Sequence, residues 1–186
     1  MKTQPDLKQI LKKGQISNEL ELERASIIDR KLRLLIKEHP EFAKDRKQLR
    51  NIIHEYEKNN WSKDSVISDE KIKESDLAEG IAERERQFIE RRKNVIKNKL
   101  SKYSLNQQDL GVLLGHNKSY MSELMNGISP LNTRDLVIIH QLFHIKLEEL
   151  IPTIINQTDR SRIKASMLKI KKPGSLLTKE VLILNC

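Results

Sequence analysis

Residues 105–127, LNQQDLGVLLGHNKSYMSELMNG, narrow the choice of fold more than any other stretch. Leu110, Leu113 and Leu114 recur at i, i+3 and i+4, which gives a short helix one apolar stripe. Gly115 then permits a sharp turn where a side chain would resist one. Asn117 is suited to cap a second helix, because its side-chain oxygen can accept from an orphan amide of the first turn. Met121, Leu124 and Met125 form that helix's inner face, and Gly127 supplies a C-terminal stop. The outer face, Lys118, Ser119, Ser122, Glu123 and Asn126, is short, polar and expected to meet solvent. An exposed helix face carrying hydrogen-bonding side chains is what reading base edges in a major groove requires.

The rest of the chain must support such a pair with few large side chains. Of 186 residues, aromatics make up 4% and charged residues 33%, so a core has to be built mainly from Leu and Ile. Apolar runs are too short for a membrane span, residues 181–184 being typical of the longest. The first residues, MKTQPDLKQILKK, lack the apolar stretch of a secretory signal, and the one cysteine, Cys186, leaves no internal disulfide to form. A cytoplasmic protein without membrane contact is expected.

The net charge of +9 is unevenly placed. Residues 104–156 hold three basic and five acidic groups, so the two-helix segment sits in a mildly acidic stretch. Positive charge flanks it. Arg91, Arg92, Lys93, Lys97, Lys99 and Lys102 precede it with no acid among them, and Arg160, Arg162, Lys164, Lys169, Lys171 and Lys172 follow it. Taken alone, a basic helix face is most simply a solvated one. Beside a groove-reading helix it is suited to contact phosphates, with Arg91, Arg92 and Lys93 as the first candidates.

Periodicity orders the remaining elements. Residues 1–16 show no clear period and read as a loose arm. Ser17 or Asn18 caps a helix to about Glu38, with Leu20, Ile27, Ile28, Leu34 and Leu35 on one face. His39 precedes Pro40, which ends that helix and starts the next. Phe42, Leu49, Ile52, Ile53 and Tyr56 continue it, so residues 17–61 read as an antiparallel helical hairpin that must dock on something. Trp61 is expected to plug its end. Residues 62–75 read as linker with a helical turn. A long helix from Ser75 or Asp76 to Lys102 carries Phe88, Ile89, Val95, Ile96, Leu100 and Tyr103 inward. After the two-helix segment come a helix over 133–143, with Leu136, Ile139, His140 and Phe143 inward, and another over 145–155. Residues 157–186 read as a basic helix near 160–171 and then an apolar arm. The expected fold class is all-α.

At residues 84–151 the chain resembles the lambda-repressor/Cro-like, or XRE, helix-turn-helix family. The resemblance lies in the helix from Gln107 to Leu114, the Leu114-Gly115 turn, the Asn117 cap, Met121 and Leu124, the Asn126-Gly127 exit, and LVIIHQLFHIKLEEL at 136–150. It implies a five-helix DNA-binding domain, here over 76–156. More narrowly, a helical segment at 19–61 ahead of YMSELMNGISPLN at 120–132 is similar to HigA-type antitoxins of type II toxin–antitoxin pairs. That likeness implies a homodimer that binds double-stranded DNA at its own operator, represses transcription, and silences a small basic messenger-RNA endonuclease toxin. By the family's pattern, Gln107 meets phosphate, while Lys118, Ser119, Tyr120, Ser122 and Glu123 face the groove. Glu123 stands where a basic or amide residue is commoner. Gly111 replaces the usual alanine, with an expected helix penalty of ~1 kcal/mol.

Other classes fit less well. The sequence offers no nucleophile–base pair, phosphate-binding glycine loop or paired carboxylates, so no catalytic residue and no cofactor is expected. His140 and His144 share i, i+4 spacing, but two ligands do not complete a tetrahedral metal site, and one packed and one capping histidine is the simpler expectation. A stand-alone XRE-type regulator would use the same motif without a toxin. A protein-interaction module with little DNA binding is a further alternative, favoured by the acidic balance of residues 104–156.

Overall fold

The computed structural model describes residues 6–62, 67–153 and 157–169, and every regular element among them is a helix. In chain order these are α1 Leu7–Lys13, α2 Glu19–Leu35, α3 Phe42–Trp61, α4 Asp69–Lys102, α5 Gln107–Leu114, α6 Lys118–Asn126, α7 Thr133–Phe143, α8 Leu147–Leu150 and α9 Gln157–Lys169. None is long and apolar enough to cross a membrane.

The expected loose arm contains α1. Asp6 caps it by accepting from the Gln9 amide at 3.2 Å, and Gly14 ends it at φ 70°. Leu7 is buried, with Ile10 and Leu11 packed beside the same cluster, so i, i+3, i+4 spacing was present in the arm. Its single turn of apolar residues gains stability only by docking, which is why periodicity alone did not reveal it.

α2 and α3 form the expected hairpin. Asn18 caps α2 through the Glu21 amide at 2.9 Å, and the Glu21 carboxylate accepts from the Ser17 amide at 2.8 Å. The buried face differs in part from the expected one. Ile27 and Ile28 are buried as expected and Leu22, Ala25 and Leu32 join them, whereas Leu34 is 70% exposed. α2 lies against both α3 and α4, its two most extensive neighbours, and two partners rotate the enclosed face away from a one-sided stripe. Phe42, Leu49 and Ile52 of α3 are buried as their spacing indicates. Trp61 closes the hairpin's open end. Its indole N–H donates to both oxygens of Glu19 at 3.2 Å, and the Tyr56 hydroxyl donates to the same carboxylate at 2.9 Å. Burial and this carboxylate together push the Tyr56 phenol well above its ordinary range.

α4 is the spine. It begins at Asp69, so the second half of the expected linker is helical, with Ser68 as its cap through the Lys71 amide at 3.3 Å. Its 34 residues span roughly 50 Å at 1.5 Å per residue. Ala78, Ala82, Ile89, Arg92, Ile96 and Leu100 make its buried stripe, and the small residues lie in the half nearer α2. Arg24 of α2 donates to Glu85 of α4 at 2.7 Å.

The last third of α4 joins α5 to α8 around Ile96, Leu100, Leu110, Leu114, Met121, Leu124, Leu131, Ile139, Phe143 and Leu150. A second cluster gathers Leu7, Ile16, Leu22, Ile28, Leu32, Phe42, Leu49 and Ile52 from the N-terminal helices. Ile128, just after α6, belongs to this second cluster rather than the first. The chain up to Leu150 is one compact unit, so the hairpin at 17–61 is packed with the helices that follow it. Residues 151–186 form a second unit, of which α9 is described, with Ile163 and Met167 half-buried. The apolar arm expected at the end of the chain lies outside the described residues.

Candidate functional site

α5 starts with a reciprocal cap. The Asn106 side chain accepts from the Gln108 amide at 2.7 Å and the Asp109 amide at 3.2 Å, while the Asp109 carboxylate accepts from the Asn106 amide at 2.8 Å. Gly115, at φ 75°, ends the helix. Asn117 begins α6 by accepting from the Tyr120 amide at 2.8 Å, and Gly127, at φ 66°, ends it. The glycine inside α5 has a packing reason. A Cβ on Gly111 would lie 3.0 Å from the His116 carbonyl and 3.3 Å from Met121 Cγ, so the absence of a side chain lets α5 and α6 approach closely. His116 sits in the turn and its Nε2 is 2.9 Å from the fully buried Asp135 of α7. Asn132 caps α7 through the Asp135 amide at 2.8 Å.

The inner face of α6 is as expected, but its outer face is not. Ser122 and Glu123 are buried along with Met121, Leu124 and Met125. Five consecutive residues turn through more than a full circle of helix, so this stretch is enclosed all round. Ser122 and Glu123, expected on an open outer face, are thus covered in this structure. Glu123 accepts from the Ser129 hydroxyl at 2.8 Å and lies 3.6 Å from the Lys8 ammonium of α1. Lys8 also stands over the half-buried Tyr120 ring, 4.6 Å from its centroid. The Ser119 hydroxyl donates to Glu41 in the turn between α2 and α3, and this bond holds the Glu41 carboxyl below its ordinary range. Of the five residues expected in the groove, Lys118 alone remains exposed.

The physical reason lies in the N-terminal helices, whose apolar faces need cover. The Leu7 amide donates to the Ile128 carbonyl at 3.0 Å, and Lys31 of α2 donates to the Asn126 carbonyl at 2.7 Å. Burial lowers the Lys31 ammonium's pKa, and Glu90 nearby opposes that shift. A shallow recess of about 340 Å³ between α1 and the start of α6 is lined by Lys8, His116, Asn117, Ser119, Tyr120 and Glu123.

The phosphate candidates divide as well. Arg91 is exposed, as are Lys97 and Lys102 farther along α4. Arg92 is 2% exposed, and its guanidinium donates to the Leu150 carbonyl at 3.3 Å and lies 5.8 Å from the Phe88 ring centroid. Burial lowers its pKa to about 10. Lys93 donates to the Asn126 side-chain oxygen at 2.7 Å, while the Asn126 amide nitrogen donates to the Ser122 carbonyl at 2.9 Å. Arg92 and Lys93 therefore hold the fold together here, and their assignment as free phosphate ligands is corrected. Gln107 is half-exposed at the start of α5, and Asn117 acts as a cap. His140 faces the Ile145 carbonyl at 2.6 Å, and His144 ends α7 at φ 49°.

Of the residues that cover α6, Leu7, Lys8, Lys31 and Glu41 were not singled out from the sequence, and His39 was read only as the residue before Pro40. Asp6 and Gly14 flanking an apolar i, i+3, i+4 set were the signal for α1. No local signal paired it with α6. No family model, curated protein or solved structure matches the chain.

Proposed function

We propose that the chain is a DNA-binding transcriptional repressor and the HigA-like antitoxin of a type II toxin–antitoxin pair. In this reading α5 and α6 are the helix-turn-helix of a five-helix lambda-repressor-like domain completed by the end of α4, α7 and α8. The observation that carries the reading is the α5–Gly115–α6 unit. Both helices have filled N-caps and left-handed glycine stops, and both are seated by Leu110, Leu114, Met121 and Leu124 on one core. Arg91, Lys97 and Lys102 are exposed on the neighbouring helix, where phosphate contacts would supply affinity independent of sequence. Lys118 is the remaining exposed base-reading candidate of α6. Operator binding as a homodimer and silencing of a small basic toxin follow from the family resemblance.

Two measurements test this reading. Binding of the purified chain to a labelled duplex from immediately upstream of its coding sequence should weaken steeply with salt. Replacing Arg91, Lys97 and Lys102 together by Ala should lower that slope by about 2 to 3. An unchanged slope removes these three residues from the interface. Purification of the chain from its native locus should also recover a stoichiometric small basic protein. Recovery of the chain with promoter DNA but no such protein would defeat the antitoxin half.

One observation favours a second reading, a protein-interaction module with little DNA binding. The outer face of α6 is already occupied by the chain's own N-terminal helices. Absence of duplex binding at low salt, together with capture of a protein partner, would select it.

A further inference from the structure

A helix with its side chains is about 10–12 Å across and the major groove is about 12 Å wide, so a reading helix must enter bare on its outer side. With Lys8 over Tyr120 and beside Glu123, and Glu41 on Ser119, the outer side of α6 is not bare. Four contacts set that cover, one of them the bond from Lys31 of α2 to the Asn126 carbonyl at 2.7 Å. At the C-terminal end of α6, Leu7 bonds the Ile128 carbonyl and both side chains share the N-terminal cluster. In the middle, Lys8 stands over Tyr120 and beside Glu123. At the N-terminal end, Ser119 bonds Glu41 in the turn between α2 and α3.

We infer that α1 and the turn between α2 and α3 form an intramolecular clamp that masks the outer face of α6 and must part from it before the helix reads DNA. The inference rests on the reading of α6 as the DNA-reading helix. The seam is suited to opening. Its middle and one end are polar contacts in which the clamp side is exposed, Lys8 at 66% and Glu41 at 55%, and its apolar stitching is the Leu7–Ile128 contact. Polar contacts with an exposed partner contribute little each, whereas the cores on either side are apolar and continuous. Surface uncovered on parting would include Ser119, Tyr120 and Glu123, three of the five positions that the resemblance assigns to the groove. The affinity seen for DNA is then the intrinsic affinity reduced by the fraction of molecules with the clamp open.

The test uses the full chain and two independent readouts. Lys8→Glu places a like charge beside Glu123 without disturbing the core, and Leu7→Asp removes the apolar stitch. Amide hydrogen exchange over residues 122–129 reports opening without DNA. Fluorescence anisotropy with the duplex from immediately upstream of the coding sequence reports binding. Faster exchange and an affinity gain on the order of tenfold in Lys8→Glu are expected, the gain being diminished when Lys118→Ala is added. Leu7→Asp should act in the same direction and more strongly if its hairpin remains folded by Trp61 fluorescence. Faster exchange with unchanged DNA affinity, still sensitive to Lys118→Ala, would overturn the clamp and leave the DNA reading standing. Unchanged exchange in both variants would also overturn it. Failure of every form to bind duplex at low salt would remove the DNA reading and the clamp with it.

Discussion

α5 and α6 are neighbours of nearly equal length with the same style of cap and stop, yet they end up in opposite surroundings. On α5 the outer face is open, with Val112 81% exposed and Leu113 nearly half exposed. On α6 even the polar Ser122 and Glu123 are enclosed. The more apolar outer face is thus the bare one. The difference teaches that a helix's own composition sets which face seeks the core, while a distant segment decides whether the other face meets water. Here the distant segment is α1 and the hairpin, whose turn residue Glu41 lies 78 residues before its partner Ser119.

The largest expected break in this comparison comes from one truncation on each helix. Leu124→Ala on α6 should lower stability by about 3 kcal/mol through lost burial and a cavity, and Val112→Ala on α5 should stay within about 0.5 kcal/mol. Urea unfolding of the two variants measures both. Equal losses would mean that the α5 outer face is also covered in solution.

Next come the two stops. Both glycines have left-handed backbone, but a Cβ on Gly127 would sit 2.5 Å from Ile89 Cγ2 while one on Gly115 meets nothing within 4 Å. Gly115→Ala should cost about 1 kcal/mol from backbone strain alone. Gly127→Ala should cost about 2 kcal/mol or more, because strain and overpacking add. Adding Ile89→Ala should recover part of the second loss and none of the first, and thermal unfolding of the double variants reads this coupling.

A smaller effect sharpens the comparison at its centre. Glu123→Ala removes the acceptor of the buried Ser129 hydroxyl and should lower stability by about 1 kcal/mol. A wild-type unfolding midpoint would show that this face of α6 is solvated after all.

The smallest effect lies on α4, the helix both regions share. Bonds from Arg86, and then Gln87, to Glu83 hold its carboxyl down to about 2. A depressed folded value contributes stability that is present above the ordinary pH 4.5 and lost as pH falls through about 2. The Glu83 side chain is 42% exposed, so solvent screening keeps this contribution small. Carboxyl chemical shifts followed from pH 6 to below 3 should show Glu83 titrating beneath the other surface glutamates, and Arg86→Ala should bring it back among them.

Much of the fold was legible locally. Asn18, Asn117, Gly115 and Gly127 have the capping and stopping roles their positions indicate, and Phe42, Leu49 and Ile52 face inward as spaced. These features depend on contacts within about one helical turn, or on one apolar face. The buried register of α2 was legible only in part, because α3 and α4 enclose it from two sides. The roles of Arg92 and Lys93 were not legible. A run of basic residues looks the same whether its members meet solvent, the Leu150 carbonyl or the Asn126 side chain.

By itself, the sequence determined the all-helical class of the described residues, the α5–Gly115–α6 unit, the inner face of α6, and Leu110 and Leu114 of α5, whereas Leu113, expected on the same stripe, is 47% exposed. Backbone freedom, capping and apolar period are local properties that one stretch of chain specifies. Only the tertiary structure decided that α1 is a helix, that Ile128 joins the N-terminal cluster, and that the outer face of α6 lies beneath Lys8 and Glu41. Those outcomes depend on which distant apolar surfaces cover one another, and burial is non-directional, so no spacing along the chain records the partner.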